Sequence, residues 1–116
     1  MIRKSGTYQS EIREKMRGGD GQVTIEHFWK PQDDMKSGNR LFAKLIITPG
    51  SSIGFHKHEN EDEIFVILKG EGEVDDNGTK SHVKAGDSIL TGNGAGHSIR
   101  CTGNSNLEVI AVITPY

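Results

Sequence analysis

Two histidines separated by a single residue constrain this chain more than any other feature of its sequence. In a β-strand, side chains at positions i and i+2 share a face, so His56 and His58 point the same way and make half of a metal site. Glu63 lies five residues after His58, an odd offset that one unbroken strand cannot place on that face. The polar run 59–62 predicts a turn. A returning strand over 63–69 would then bring Glu63 opposite the two histidines as a third ligand.

A second stretch, residues 86–97, contains the candidate for a fourth ligand. It reads as a tight turn, a short strand and a glycine-rich bend, and it ends at His97. Three neutral imidazoles and one carboxylate suit a divalent transition metal such as Mn, Fe, Co, Ni, Cu or Zn, and the set lacks the thiolates typical of a closed structural zinc site. Four protein ligands on an octahedral metal leave two positions for water, substrate or dioxygen. The predicted metal ligands are His56, His58, Glu63 and His97.

These two stretches resemble the two signature motifs of the cupin family. The first motif is matched at every position, by Gly50, His56, His58, Glu63 and Gly70. The second is matched by Gly86, Gly94 and His97, with Gly92 at the proline position and Cys101 at the asparagine position. With the residues between them, the motifs cover about half of the chain. The resemblance implies an all-β fold, a single antiparallel jelly-roll barrel of about six to ten strands with the metal near one open end.

Length and composition limit the class of protein. A chain of 116 residues can bury a single core, and 15 glycines, 3 prolines and short runs of Val, Ile and Thr favour an all-β domain. A net charge of −2, with both signs scattered, gives neither a nucleic-acid footprint nor a basic membrane surface. One cysteine, no apolar leader and no run near the ~20 apolar residues of a membrane span predict a cytoplasmic protein. Its expected partners are small molecules or copies of itself.

We predict an N-terminal arm over residues 1–22 and the barrel over residues 23–116. In the arm, Ile12 and Met16 are four residues apart, so 11–17 could form one or two helical turns lying over the barrel or a neighbouring subunit. A partly disordered leader is the alternative.

The barrel strands carry more apolar residues than a lone small barrel needs. Strands predicted over 41–48, 64–68 and 107–113 have apolar residues on both faces, whereas the outer faces of an isolated barrel should be polar. The outside is therefore expected to be covered, and we predict a homodimer. Between these strands, 70–83 is predicted to form a hairpin with Asn77-Gly78 in its tip, because this dipeptide suits the positive φ angles of tight turns.

Several other side chains are candidates for the pocket. Alternation over 23–29 puts His27 on a mostly apolar face, as a core or rim histidine or as an outer group of the metal cavity. Lys44 interrupts an apolar strand and is expected to point outward, or else inward to hold an anionic substrate. Cys101 shares the face of His97 and is expected to be a buried, inert thiol.

Two kinds of function fit this pattern. The first is a metal-dependent lyase, isomerase or dioxygenase acting on a small oxygen-rich compound, such as a hydroxy or keto acid, a diol or a sugar derivative, with the metal as Lewis acid or dioxygen site. His27, Lys44 and Glu61 are its weak candidates for a general base. The second is a non-catalytic, metal-assisted module that binds or senses a small molecule. A metal-free sugar epimerase or isomerase is a third possibility, against which the intact ligand set argues.

The resemblance extends loosely to oxalate decarboxylases, but the sequence argues against that activity. Those enzymes place an arginine three residues ahead of the first histidine, where this chain has Ile53. They also carry a glutamate on a flexible lid after the second motif, whereas the acid after His97 is Glu108, within a predicted strand.

Overall fold

A computed structural model describes residues 1–116 of the chain as ten β-strands, one 3-10 turn and one short α-helix. The strands are β1 Gln9–Glu14, β2 Gln22–His27, β3 Leu41–Ile47, β4 Ser52–Lys57, β5 Glu61–Lys69, β6 Glu71–Asp76, β7 Thr79–Lys84, β8 Ser88–Gly92, β9 Gly96–Cys101 and β10 Leu107–Pro115. The 3-10 turn is Met16–Gly18 and the helix, α1, is Pro31–Asp34. Neither helical segment has the length and apolar character that crossing a bilayer requires.

The strands form two antiparallel sheets that face each other. One has six strands in the order β1-β2-β3-β10-β5-β8, and the other has four in the order β4-β9-β6-β7. After β3, consecutive strands alternate between the sheets except at the β6–β7 hairpin, as in a jelly roll, so the prediction of an all-β antiparallel jelly-roll fold is confirmed.

Strict alternation of side chains puts the core between the sheets. In β3, the buried residues Ala43, Leu45 and Ile47 alternate with half-buried ones, and β10 repeats the pattern from Leu107 to Ile113. Cys101 also lies in the core, where it is 1% exposed and its thiol donates to the Ser105 carbonyl, as expected of a buried thiol.

The prediction of helical turns over residues 11–17 is wrong. Residues Gln9–Glu14 form β1, which pairs with β2 along its whole length and extends the six-stranded sheet as an edge strand. All six residues of β1 are exposed, so this stretch buries no apolar face, whereas pairing with β2 satisfies its backbone hydrogen bonds. Lys15 and Arg17 then adopt left-handed backbone conformations, with φ of 48° and 55°, which turn the chain toward β2.

The hairpin predicted over 70–83 is confirmed. Strands β6 and β7 pair from Glu71 with Lys84 to Asp76 with Thr79. The two tip residues, Asn77 and Gly78, have φ of 49° and 102°, which are the positive angles that the dipeptide favours.

Candidate metal centre

The predicted ligands come from both sheets and meet at one point. Antiparallel pairing of β4 with β9 places His56 directly opposite His97. His58 lies just beyond the end of β4, where its backbone N–H donates to the Ala95 carbonyl. Strand β5 returns in the other sheet and presents Glu63 to the three imidazoles.

A β-bulge in β4 makes this convergence possible. Ile53 and His56 both face the interior although they are three residues apart, an offset that a regular strand would put on opposite faces. The register shifts between these two residues, so the extra residue restores the inward direction. Glycine at position 54 forms part of the bulge.

One potential ligand atom from each of the four residues lies within 4.8 Å of the others. The Nε2 atoms of His58 and His97 are 3.1 Å apart, and each is 2.9 Å from Oε1 of Glu63. The centroids of the three imidazole rings form a triangle with sides of 4.8 Å. His58, Glu63 and His97 are 1%, 4% and 0% exposed, so water cannot screen these donors from one another.

The Nδ1 atom of each imidazole contacts a hydrogen-bonding group on the side of the ring away from the other ligands. The Nδ1 of His56 donates to the Gly54 carbonyl at 2.7 Å, and that of His58 donates to the Glu61 carboxylate at 2.6 Å. The third, on His97, is 2.9 Å from the Thr91 hydroxyl. Since a carbonyl and a carboxylate can only accept, His56 and His58 keep the proton on Nδ1 and leave the Nε2 lone pair free. This arrangement of outer partners is typical of metal-binding histidines.

The donor set fits a divalent transition metal. The Nε2 atoms of His58 and His97 and the Glu63 carboxylate oxygen approach one another within 3.1 Å, so a proton or a metal cation must lie between them. His56, His58, Glu63 and His97 are thus positioned to bind a metal whose identity the ligand types leave open.

The charges around the centre favour ionised carboxylates. Arg40 donates to Glu61 through two nitrogens, each at 2.9 Å, and this contact, with that of His58, lowers the pKa of Glu61 to about 2. Burial acts to raise the pKa of Glu63, but the hydrogen bonds from His58 and His97 outweigh it and the pKa is lowered. The same contact with Glu63 raises the pKa of His58.

A cavity of about 110 Å³ opens beside the predicted ligands. Three of them, His56, His58 and Glu63, line it, together with His27 and apolar side chains of the core. Its volume is several times the ~30 Å³ share of one water, which suits a ligand of a few heavy atoms and not a polymer.

The remaining pocket candidates have different positions. His27 lines the cavity, and its buried Nδ1 has no hydrogen-bond partner in the protein. Lys44 points outward, as expected, with its Nζ 3.9 Å from Glu26 and 3.2 Å from Glu108. Glu61 lies behind His58 as its hydrogen-bond partner, so neither Lys44 nor Glu61 is free to act as a base in the cavity.

Sequence reasoning missed the outer partners and one wall of the cavity. Thr91 belongs to the same motif as His97, but the two lie on different strands, β8 and β9, so periodicity could not pair them. Arg40 carried no usable signal, because it lies outside both motifs. The cavity wall formed by Arg13 and Arg17 was missed because that segment was assigned to a helix.

Comparisons with known proteins agree with this fold and centre. The family model described as "Cupin domain" matches residues 43–113. A protein of Thermotoga maritima named "Oxalate-binding protein" is 46% identical over 113 residues, which are 97% of this chain and 93% of that protein. A crystal structure from T. maritima, described as a predicted oxalate decarboxylase, aligns with a TM-score of 0.94 and 45% identity over 100% of both chains. The cupin domain of Schizosaccharomyces pombe Cnp3 shares the fold, with a TM-score of 0.73 and 13% identity over 91% of this chain and 69% of that one.

Proposed function

Since the chain belongs to the cupin family, we propose that it is a metal-dependent binding protein for small carboxylates. The observation that carries this proposal is the position of the four predicted ligands, which lie beside a cavity sized for a few heavy atoms. A divalent ion of the Mn, Fe, Co, Ni, Cu or Zn group held there would supply a Lewis acid for carboxylate oxygens. The name of the T. maritima relative, an oxalate-binding protein, supports a ligand of this class.

The protein's own residues would prepare the site for an anion. Apolar side chains of Ile53, Leu45 and Phe65 line the inner part of the cavity and exclude water, which strengthens every charge interaction there. Arg40 lines the same cavity while it holds Glu61 against His58. The centre is therefore rigid before the ligand arrives, which reduces the entropic cost of binding.

Calorimetric titration with oxalate tests the proposal. We expect binding at one oxalate per chain to the Mn²⁺-loaded protein and at least about tenfold weaker binding after a chelator has removed the metal, because the ion supplies the main charge attraction. Metal content is measured after the titration to verify that oxalate has not extracted the ion. Equal affinity in the two forms, or no binding to the loaded form, would refute metal-dependent carboxylate binding.

An enzyme is the second candidate function, and His27 favours it. This imidazole lines the cavity, and its Nε2 lies 3.5 Å from the carboxylate of Glu11 on the same wall, so it is the base candidate that is placed to exchange a proton with a bound molecule. Oxalate recovered unchanged after long incubation with the loaded protein supports the binding function. Its conversion by wild type, but not by His27→Gln, would support the enzyme.

We further propose that the outer face of the six-stranded sheet pairs with a second copy of the chain. A row of apolar side chains crosses four strands, since Phe42 lies opposite Val112, Val112 opposite Ile64, and Ile64 opposite Leu90. Ile64 and Leu90 are 41% and 66% exposed. Contiguous exposed apolar rows of this kind are typical of interfaces.

Sedimentation velocity at micromolar concentration tests the dimer. We expect a dimer for wild type and a monomer for Ile64→Lys, because a charge in the apolar row would be buried without a partner. Phe55→Lys is the matched control, since Phe55 is 48% exposed on the other sheet and its substitution should leave the dimer intact. A monomeric wild-type protein would contradict the proposal.

Residues 1–22 are proposed to act as an arm of the barrel of residues 23–116, in which β1 extends the six-stranded sheet at its edge. In support, Glu11, Arg13, Met16 and Arg17 of this segment form part of the cavity wall. The variants of Arg17 described below test its contribution. Cytoplasmic location stays a prediction based on the composition.

A further inference from the structure

One cation in the wall of the cavity has no partner. Three arginines line the cavity. Arg13 pairs with Glu11 at 3.0 Å and Arg40 pairs with Glu61 at 2.9 Å, whereas Arg17 makes no ion pair and no side-chain hydrogen bond. A guanidinium is charged at every physiological pH. Arg17 therefore contributes the one uncompensated arginine charge at this cavity.

The backbone holds Arg17 in place at some cost. Its φ of 55° lies in the left-handed region, which residues with a side chain rarely adopt, and such conformations concentrate at functional sites. The 3-10 turn that carries Arg17 rests on β4 at the bulge, because a Cβ at Gly54 would collide with the Arg17 carbonyl and a Cβ at Gly19 would collide with the Ser52 carbonyl. Only glycine at 54 and 19 permits this close approach.

The same contact joins the turn to the metal centre. Gly54, whose Cα the turn packs against, also supplies the carbonyl that accepts the hydrogen bond from Nδ1 of His56. The backbone of Arg17 thus has a fixed position relative to a predicted metal ligand, and its exposed side chain lies with that of His56 on the wall of one cavity.

The charge of the site then defines the ligand class. A divalent ion and the Glu63 carboxylate together carry one net positive charge, and Arg17 adds a second, while the paired arginines add none. A dianion would neutralise this site and a monoanion would not.

We infer that Arg17 forms a second anion subsite, which binds the far carboxylate of a small dicarboxylate whose near carboxylate faces the four-residue centre. This inference rests on the proposed function and narrows its ligand class from small carboxylates to small dicarboxylates. Arginine suits the role because its planar fork binds a carboxylate through two hydrogen bonds.

Titrations of the Mn²⁺-loaded protein with two matched pairs of probes test the subsite. Oxalate and malonate are dianions, and oxamate and malonamate are the same molecules with one carboxylate replaced by a neutral amide. Loss of a charge-assisted hydrogen-bond partner in Arg17→Gln should weaken binding of the preferred dianion about 10- to 100-fold and change binding of its half-amide by less than about threefold. The affinity of Arg17→Lys for the dianion should lie between those of wild type and Arg17→Gln, since lysine keeps the positive charge but cannot form the two parallel hydrogen bonds of a guanidinium.

Two controls separate the outcomes. Lys84→Gln removes one positive charge from an exposed residue that does not line the cavity, so dianion binding should stay within about twofold. The metal content of Arg17→Gln should equal that of wild type, because Arg17 is not among the predicted ligands. The subsite is refuted if Arg17→Gln binds the dianion as tightly as wild type does, or if its affinities for the dianion and the half-amide fall by the same factor. In either case the proposed binding of small carboxylates still stands. If wild type binds neither dianion, the proposed function fails and the subsite fails with it.

Discussion

Replacing His97 with alanine is expected to cause the largest loss of metal affinity of any single substitution discussed for this chain. The imidazole is fully buried, and its Nε2 lies 3.1 Å from that of His58 and 2.9 Å from the Glu63 carboxylate. Nothing else nearby can replace it, since Thr91 is held behind the ring and Phe65 lies stacked on its face. The loss should exceed the ~10- to 100-fold that removal of an outer partner typically costs. Competition with a chromophoric chelator measures it.

A graded series makes this prediction sharper. Glu61→Gln keeps the size of the side chain but weakens the hydrogen bond that orients His58, so metal affinity should fall by about 10- to 100-fold. Glu59→Gln removes the same charge from an exposed residue two positions away, and affinity should change by less than about twofold. Metal affinity that is the same in His97→Ala as in Glu59→Gln would contradict the assignment of His97.

The second large effect is expected at Phe65, which links the core to the metal centre. Its ring is 2% exposed and stacks on His97, with centroids 4.7 Å apart and planes inclined by 10°. Phe65→Ala should lower the free energy of unfolding by about 3–5 kcal/mol through lost burial and the cavity left behind. Denaturant titration in the presence of a chelator measures this loss separately from metal binding.

Two variants identify the cause of that loss. Phe65→Leu keeps most of the apolar volume and should cost less than about 1.5 kcal/mol. Phe55→Ala removes an aromatic ring that is 48% exposed, and its cost should stay below about 1 kcal/mol. If Phe55→Ala destabilised the protein as much as Phe65→Ala, the ring stacked on His97 would not have the structural role described.

The part of the site that the sequence predicts is the part governed by local periodicity. The i and i+2 rule places His56 and His58 on one face, and the odd offset to Glu63 requires a turn, which the structure has at Asn60 with φ of 59°. The all-β class follows from the density of glycines and β-branched residues. The outward direction of the Lys44 side chain was also predicted, because a charged group costs less free energy in solvent than buried in the core.

The part that the sequence could not predict depends on contacts between distant segments. The prediction of a helix over 11–17 failed because pairing with β2, an interaction between distant segments, decides the conformation of the exposed stretch Gln9–Glu14. The bulge before His56 could not be predicted from the sequence of β4 either, because it depends on how β4 pairs with β9. The contact of Arg40 with Glu61 joins residues 21 positions apart. The position of Arg17 could not be predicted for the same reason, because it depends on the close approach of the 3-10 turn to β4 at Gly54.

The central claim is that three imidazoles and one carboxylate hold a common metal ion. X-ray absorption spectroscopy of untagged protein loaded with one equivalent of Mn²⁺ tests it most directly, because imidazole rings produce a distinct multiple-scattering signal. We expect about three imidazole ligands per ion, completed by oxygen donors, and loss of one imidazole in His97→Ala. A spectrum of an ion surrounded by oxygen alone, identical in wild type and His97→Ala, would contradict the claim.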